Sequence, residues 1–179
     1  MGTRTKPRPI LIIFGGLPGT GKTTIARELA RQTGAVFLRI DSIEHSIHEP
    51  GRAIEPMNDV GYRVAYAVAE DNLRGGQTVI TDCVNPWMLT RNAYLEVAQR
   101  ANVPAVEVEI VCSDPGEHRR RVENRELDIP GFALPTWEEV VNRDYHAWER
   151  EHIVIDTAGN SATYPGAAAA VLSRPPHQN

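Results

Sequence analysis

The feature that most constrains this chain lies near its amino end. An apolar run, "PILIIF" (9–14), gives way at once to "GGLPGTGKTT" (15–24). Four glycines and a proline within those ten residues interrupt strand and helix alike, so the backbone must turn sharply there. Residues 16–23 fit the pattern G-x-x-x-x-G-K-[ST], with a strand-like run before and a helical pattern after. Glycines let the backbone curl until several N–H groups point inward at anionic oxygens. The helix that follows adds the positive end of its dipole. Lys22 can bridge the outer phosphates of a nucleotide, and the Thr23 hydroxyl is a hard oxygen of the kind Mg²⁺ prefers. Gly16, Gly19, Thr20, Gly21, Lys22, Thr23 and Thr24 are therefore expected to contact a nucleoside triphosphate.

Beyond this turn, apolar runs alternate with helical patterns. "ILIIFGG", "AVFLRID", "TVITDCV", "AVEVEIVC" and "HIVIDT" read as five strands. The first is continuously apolar, as in a strand covered on both faces. Helices are expected over 24–33, with Ile25, Leu29 and Ala30 on one face and Gly34 as a stop, and over 57–74, with Val60, Val64 and Val68 at four-residue spacing. Further helices are expected over 90–101 with Thr90 as N-cap, from Asp114 and Pro115 onward, over 135–151, and over 165–174. This alternation predicts an α/β fold with a mostly parallel sheet and right-handed crossovers. Sites in such sheets lie beyond the carboxyl ends of the strands. Glu107 and Glu109 alternate with Val106, Val108 and Ile110, which predicts that one face of the fourth strand is thinly covered.

Composition narrows the choice of function. A chain of 179 residues with no visible repeat or linker reads as a single domain, with a frayed tail over about 174–179. The net charge of −4 argues against nucleic acid as the main partner. Cys83 and Cys112 follow apolar runs and read as two buried thiols in a reducing compartment. The basic start "MGTRTKPRP" leads through a short apolar run straight into the glycine turn, so it reads as a strand and not a signal peptide. No apolar stretch approaches the roughly 20 residues that span a bilayer. A soluble cytoplasmic location, with no membrane partner, is the expectation.

Nucleotide binding leaves open motor, switch or kinase. No N/T-K-x-D motif for reading guanine is present, and no Asp-Glu pair closes a later strand. The chain is small and carries an arginine-dense helix late in the sequence. With the glycine turn, this combination resembles the P-loop kinases of small molecules: adenylylsulfate kinase, gluconate kinase, chloramphenicol phosphotransferase, the zeta-toxin group and the kinase domain of polynucleotide kinases. The resemblance runs in element order from about residue 9 to 170. It implies a P-loop NTPase fold with a five-stranded parallel sheet flanked by helices, an arginine-bearing lid over about 114–136, and transfer of the γ-phosphoryl of ATP to an acceptor hydroxyl.

The resemblance also assigns roles. Asp41, in "FLRIDSIEHSI", closes the second strand where such kinases place a carboxylate that orients the acceptor hydroxyl or takes its proton; Asp41 also suits the cap of a helix starting at Ser42. Asp82, in "VITDCVNP", takes a Walker-B-like position and pairs with Thr23 as a Mg²⁺ holder, against the plainer reading of an Asp opening the turn before Asn85-Pro86. Asn85 and Arg91 are candidates for the acceptor pocket. In "HRRRVENR", Arg121 and Arg125 are four apart and share a helix face, matching lid arginines that clamp phosphates. Arg119 and Arg120 read as surface residues, with Glu117 and Glu123 as partners for the helix. In the proline-rich stretch that follows, Asp128, Phe132 and Trp137 can reach an acceptor, although packing is the commoner task for Trp137 and Trp148. The six histidines have no metal-ligand spacing. Gly159, with Asp156, Thr157 and Ala158, falls where such kinases run a loop past the adenine.

The expected cofactors are ATP and Mg²⁺, and the expected partner is a small hydroxyl-bearing acceptor. Two other readings stay open at this stage. One is a 5′-hydroxyl polynucleotide or nucleotide kinase, which a basic groove near Arg39, Arg52 and Arg63 would favour. The other is a nucleotide-dependent binding module without an acceptor, which predicts slow turnover and a large exposed apolar patch.

Overall fold

The computed structural model of the chain describes residues 8–47, 59–126, 128–131, 133–159 and 171. Five parallel strands form one sheet in the order β2-β3-β1-β4-β5. They are β1 (Leu11–Gly15), β2 (Val36–Arg39), β3 (Val79–Asp82), β4 (Ala105–Val111) and β5 (Ile153–Asp156). Alternation along β1 explains its unbroken apolar run. Ile12 and Phe14 face one core with Ile25 and Leu29, while Leu11 and Ile13 face a second core with Ala65, Leu73 and Tyr94.

The first core packs under α1 (Lys22–Thr33), which ends as expected on Gly34 in the left-handed region (φ 70°) with its N–H on the carbonyl of Ala30. The second packs under α3 (Val60–Arg74) and α4 (Met88–Arg100). Here the sequence reading needs correction. The face of α3 that turns inward is Gly61, Ala65, Ala69 and Leu73, whereas Val64 and Val68 are more than a third exposed. Small residues let the helix lie close to its neighbours, and the valines sit one position round. Thr90 does not cap α4: the helix starts two residues earlier, after Trp87, and the Thr90 hydroxyl donates back to the Trp87 carbonyl. Residue 57, at the expected start of α3, lies outside the described residues.

Two further departures concern the carboxyl half. The helix α5 (Pro115–Glu123) begins as the sequence predicts, with the Asp114 side chain accepting from the N–H of Glu117. The helix expected over 135–151, however, is only α6 (Trp137–Val141), opened by a reciprocal Thr136–Glu139 capping box. Residues 142–152 run irregularly across the β4 face that carries Glu107 and Glu109. That face is therefore covered. Arg150 grips both oxygens of Glu107 (3.0 and 2.9 Å), and Glu109 accepts from the Tyr145 hydroxyl (2.9 Å) and lies 3.2 Å from a His152 nitrogen. Glu107 is buried because its charge is paired. Of the expected closing helix over 165–174, only Val171 is described; it is helical and buried in the first core. Cys83 is buried, but Cys112 is only half-buried.

Among the described residues, no helix is long and apolar enough to cross a membrane.

Candidate active site

The carboxyl ends of β1, β2 and β3 open onto a cavity of about 1000 Å³, large enough for a nucleotide and a small partner. The sheet register explains the convergence. Phe14 of β1 and Arg39 of β2 both pair with Asp82 of β3. The glycine turn leaves β1 beside Asp82, and helix α2 (Ile40–Ile47) starts directly after Arg39, with Asp41 in its first turn. Asp41 is thus inside the helix and does not cap one that begins at Ser42.

The turn is built as a phosphate cradle requires. Gly16, Gly19 and Gly21 all have positive φ (136°, 83° and 93°), which only glycine adopts freely. At Gly16 a β-carbon would also run into the Ile110 carbonyl oxygen. Gly16 and Thr20 hold the loop rather than line the cavity: the Gly16 N–H donates to Val84, and the Thr20 hydroxyl donates to Leu17 (2.9 Å). Gly19, Gly21, Lys22, Thr23 and Thr24 line the space. His118 supports the loop from below, its Nε2 lying 2.8 Å from the Pro18 carbonyl oxygen and its ring edge-on to Trp137. Packing is thus the observed task of Trp137.

Charge is concentrated in the floor of the cavity. Lys22 is 7 % exposed, and its Nζ donates to the Leu17 carbonyl (2.8 Å). Burial lowers its pKa, against the raising pull of Asp82 and Asp41. Asp82 is 3 % exposed, and its Oδ2 has no hydrogen-bond partner. Burial pushes its carboxyl pKa up, against Lys22 and a hydrogen bond from the Thr23 side chain. Among the described residues, no group of three or more His, Cys, Asp or Glu side chains is arranged to hold a metal.

Both singled-out arginines line the cavity, but with different attachments. Arg121 donates to the Thr157 carbonyl (2.8 Å) and hydroxyl (2.7 Å) and pairs with Glu117. Arg125 lies 3.9 Å from Asp41 and 4.0 Å from Asp128. Arg119 bonds Glu123 at the surface. Gly159 does not line the cavity; its N–H donates to Glu117 (2.8 Å), which lowers the pKa of that carboxyl. Asp156 is turned back onto the N–H groups of Ser113 and Ala158.

Asn85 and Arg91 do not line the cavity. The Arg91 guanidinium is buried and donates to four carbonyls, those of Asn85, Pro86, His146 and Ala147, beneath Trp148. Phe132 and Arg52 lie outside the described residues. Sequence reasoning missed Tyr62, Trp87 and Glu44 on the cavity wall, and it missed the placing of Arg39. Only Arg39 carried a signal, as a charged residue at the carboxyl end of an otherwise apolar strand.

The fold is shared with solved structures. The APS kinase of Mycobacterium tuberculosis in complex with AMPPNP and APS superposes with a TM-score of 0.66 at 18% identity, over 93% of this chain and 96% of that one. Kti12 from Chaetomium thermophilum in complex with ADP-AlF3 gives 0.65 at 19%, over 90% and 94%. A gluconokinase from Sinorhizobium meliloti 1021 gives 0.62 at 17%, over 92% and 93%. At these identities the likeness is one of fold: a P-loop NTPase sheet with flanking helices. No curated protein matches the chain. The profile of the AAA domain family matches residues 11–141, from the first buried strand to the end of α6, and the chain belongs to that family.

Proposed function

We propose that this chain transfers the γ-phosphoryl group of ATP, with Mg²⁺, to a hydroxyl of a small molecule. The observation that carries this reading is the single cavity lined by Lys22, Thr23, Asp41, Asp82, Arg121 and Arg125. A cradle alone serves any nucleotide user. A second carboxylate in the same space, on the helix that follows a different strand, is what an acceptor hydroxyl needs. The acceptor oxygen attacks the γ-phosphorus, the bond from phosphorus to the departing ADP oxygen breaks, and Asp41 orients the hydroxyl and takes its proton. Lys22 and the loop amides hold the phosphates. Arg121 and Arg125 supply donors to the transferring group.

The residues present also fit a magnesium ion. Asp82 has a buried carboxylate oxygen without a partner, next to the Thr23 hydroxyl. Two hard oxygen donors suit an ion whose other ligands are phosphates and water. When bound, the ion neutralises phosphate charge. The solved APS kinase complex, which holds both AMPPNP and APS, supports a reading in which one such fold takes a nucleotide and a second small molecule. The rival nucleic-acid reading loses one of its supports, because the Arg39 side chain is 3% exposed and engaged by carboxylates.

The test is ADP release across a panel of hydroxyl-bearing metabolites, nucleosides and aminoglycoside-like compounds, measured against the acceptor-free background. Asp41→Asn is expected to lower acceptor-dependent release by about 10²–10⁴-fold with ATP affinity near wild type, and Lys22→Ala to weaken ATP binding itself. Wild-type turnover in Asp41→Asn overturns the role of Asp41. ATP binding with no stimulation by any acceptor class favours the binding-module reading instead.

A further inference from the structure

Arg39 has no part in the phosphotransfer roles above, yet among the described residues it has the most concentrated set of carboxylate contacts. It is the last residue of β2 and sits opposite Asp82 in the strand register. Its Nε lies 4.0 Å from Asp82 Oδ2. Its Nη2 lies 3.4 Å from Asp41 Oδ2. Its Nη1 and Nη2 together grip Asp128, at 2.6 and 3.1 Å. Asp128 belongs to the connection between α5 and α6, 89 residues away in sequence. A planar fork with donors on three nitrogens can meet three carboxylates at once, which a lysine ammonium on a flexible stem cannot.

We propose that Arg39 is a positioning residue: one buried guanidinium fixes Asp41 beside the cavity and, through Asp128, seats the α5–α6 connection over it. The identity of the parts it positions rests on the phosphotransfer reading; the seating itself does not. The fork is fixed from the strand side, since β2 is hydrogen-bonded to β3 and the Arg39 side chain is 3% exposed. Asp128 is the more exposed partner, at 37%, and lies on an irregular segment. Arg27, from α1, also reaches it at 2.9 Å but is half exposed, so solvent and salt weaken that contact. Arg125 then stands between two carboxylates, Asp41 and Asp128, 3.9 and 4.0 Å away. With Asp128 held by Arg39, Arg125 is kept at the cavity mouth, within the reach of an arriving phosphate.

Two measurements test this. Limited proteolysis with proteinase K, with fragments mapped by mass, reads opening of 124–136 without any need for turnover. Asp128→Asn, which keeps the shape and removes the charge, is expected to speed cleavage within 124–136 at least tenfold. Asp128→Glu is expected to recover part of the protection, and the surface control Arg31→Ala to leave it unchanged. Steady-state ADP release from Mg·ATP, in the presence of the panel compound that stimulates it most, then separates positioning from scaffolding. Asp128→Asn and Arg39→Lys are expected to lower kcat at least tenfold with KM for Mg·ATP within twofold, because the glycine loop still holds the nucleotide. Equal cleavage of Asp128→Asn and wild type overturns the seating. A loss confined to KM overturns the positioning. Should Arg39→Lys fail to fold, Asp128→Asn alone decides, since its residue lies on the surface. A wild-type chain that binds ATP but releases no ADP above background with any compound of the hydroxyl panel sinks the phosphotransfer reading, and the proteolysis result then judges Arg39 by itself.

Discussion

A buried carboxylate with one oxygen unpartnered costs the fold that contains it. At Asp82, burial outweighs the attraction of Lys22 and Arg39, so its pKa is raised and the charged form is disfavoured. Neutralising it should then stabilise the empty protein. Asp82→Asn is expected to add about 1 kcal/mol, read as a melting temperature roughly 2–4 °C higher. The same variant should lose the extra stabilisation that Mg²⁺ adds to ATP binding. Differential scanning calorimetry with and without Mg·ATP checks both halves. A lower melting temperature for the empty variant would mean that Asp82 is held by its cations more strongly than burial opposes it. The glycine turn was legible, since its pattern fixes glycine positions, a lysine and a hydroxyl at set spacing, although Gly16 and Thr20 hold the loop instead of lining the cavity. Arg39 was not legible in this way. Its partners Asp82 and Asp128 are set by strand register and by the path of a connection, and neither is written in local spacing.

At the scale of elements, strands were easier to read than helices. Each of the five expected strands is present within a residue or two at either end; β1 reads most plainly, because a strand covered on both faces is apolar without interruption. Helix faces were harder. Along α3 the valines and the inward Ala65, Ala69 and Leu73 have the same four-residue period, and only packing decides which row turns in. The run over 135–151 is expected as one helix, yet the helix stops at Val141. What replaces the helix is a polar cover for β4, anchored by Arg91. That side chain ties the turn after β3 to residues 146 and 147 through main-chain carbonyls. Removing the donors leaves buried acceptors unsatisfied, at about 1–3 kcal/mol each. Arg91→Met is therefore expected to cost about 3–5 kcal/mol and to lower the melting temperature by roughly 10 °C. Arg91→Lys should rescue little, because one ammonium cannot span the carbonyls that the fork meets. ATP affinity measured below the melting transition should stay near wild type, since Arg91 does not line the cavity. A matching loss of affinity would place the Arg91 anchor within the binding site.

For the whole molecule, the decisive property is that the cavity exists only when the sheet is assembled. Its charged wall comes from the start of α1 after the glycine turn, from α2, from the end of β3, and from α5 and the connection beyond it. These stretches are separated by tens of residues, so an unfolded chain offers a nucleotide no comparable site. Ligand binding must then feed back on the whole fold rather than on one loop. With free Mg·ATP at about one hundred times its Kd, linkage adds about 2.7 kcal/mol to stability, which for a chain of this size is a rise of roughly 5–10 °C. Chelating the metal should remove part of that rise, because the unpartnered Asp82 oxygen regains nothing when the nucleotide binds alone. Lys22→Ala should remove most of it. A thermal-shift titration over ATP, with and without a chelator, reads these in one experiment. A rise that is the same with and without the metal would assign the stabilisation to the loop amides and Lys22 alone, and would take Asp82 out of the metal's coordination.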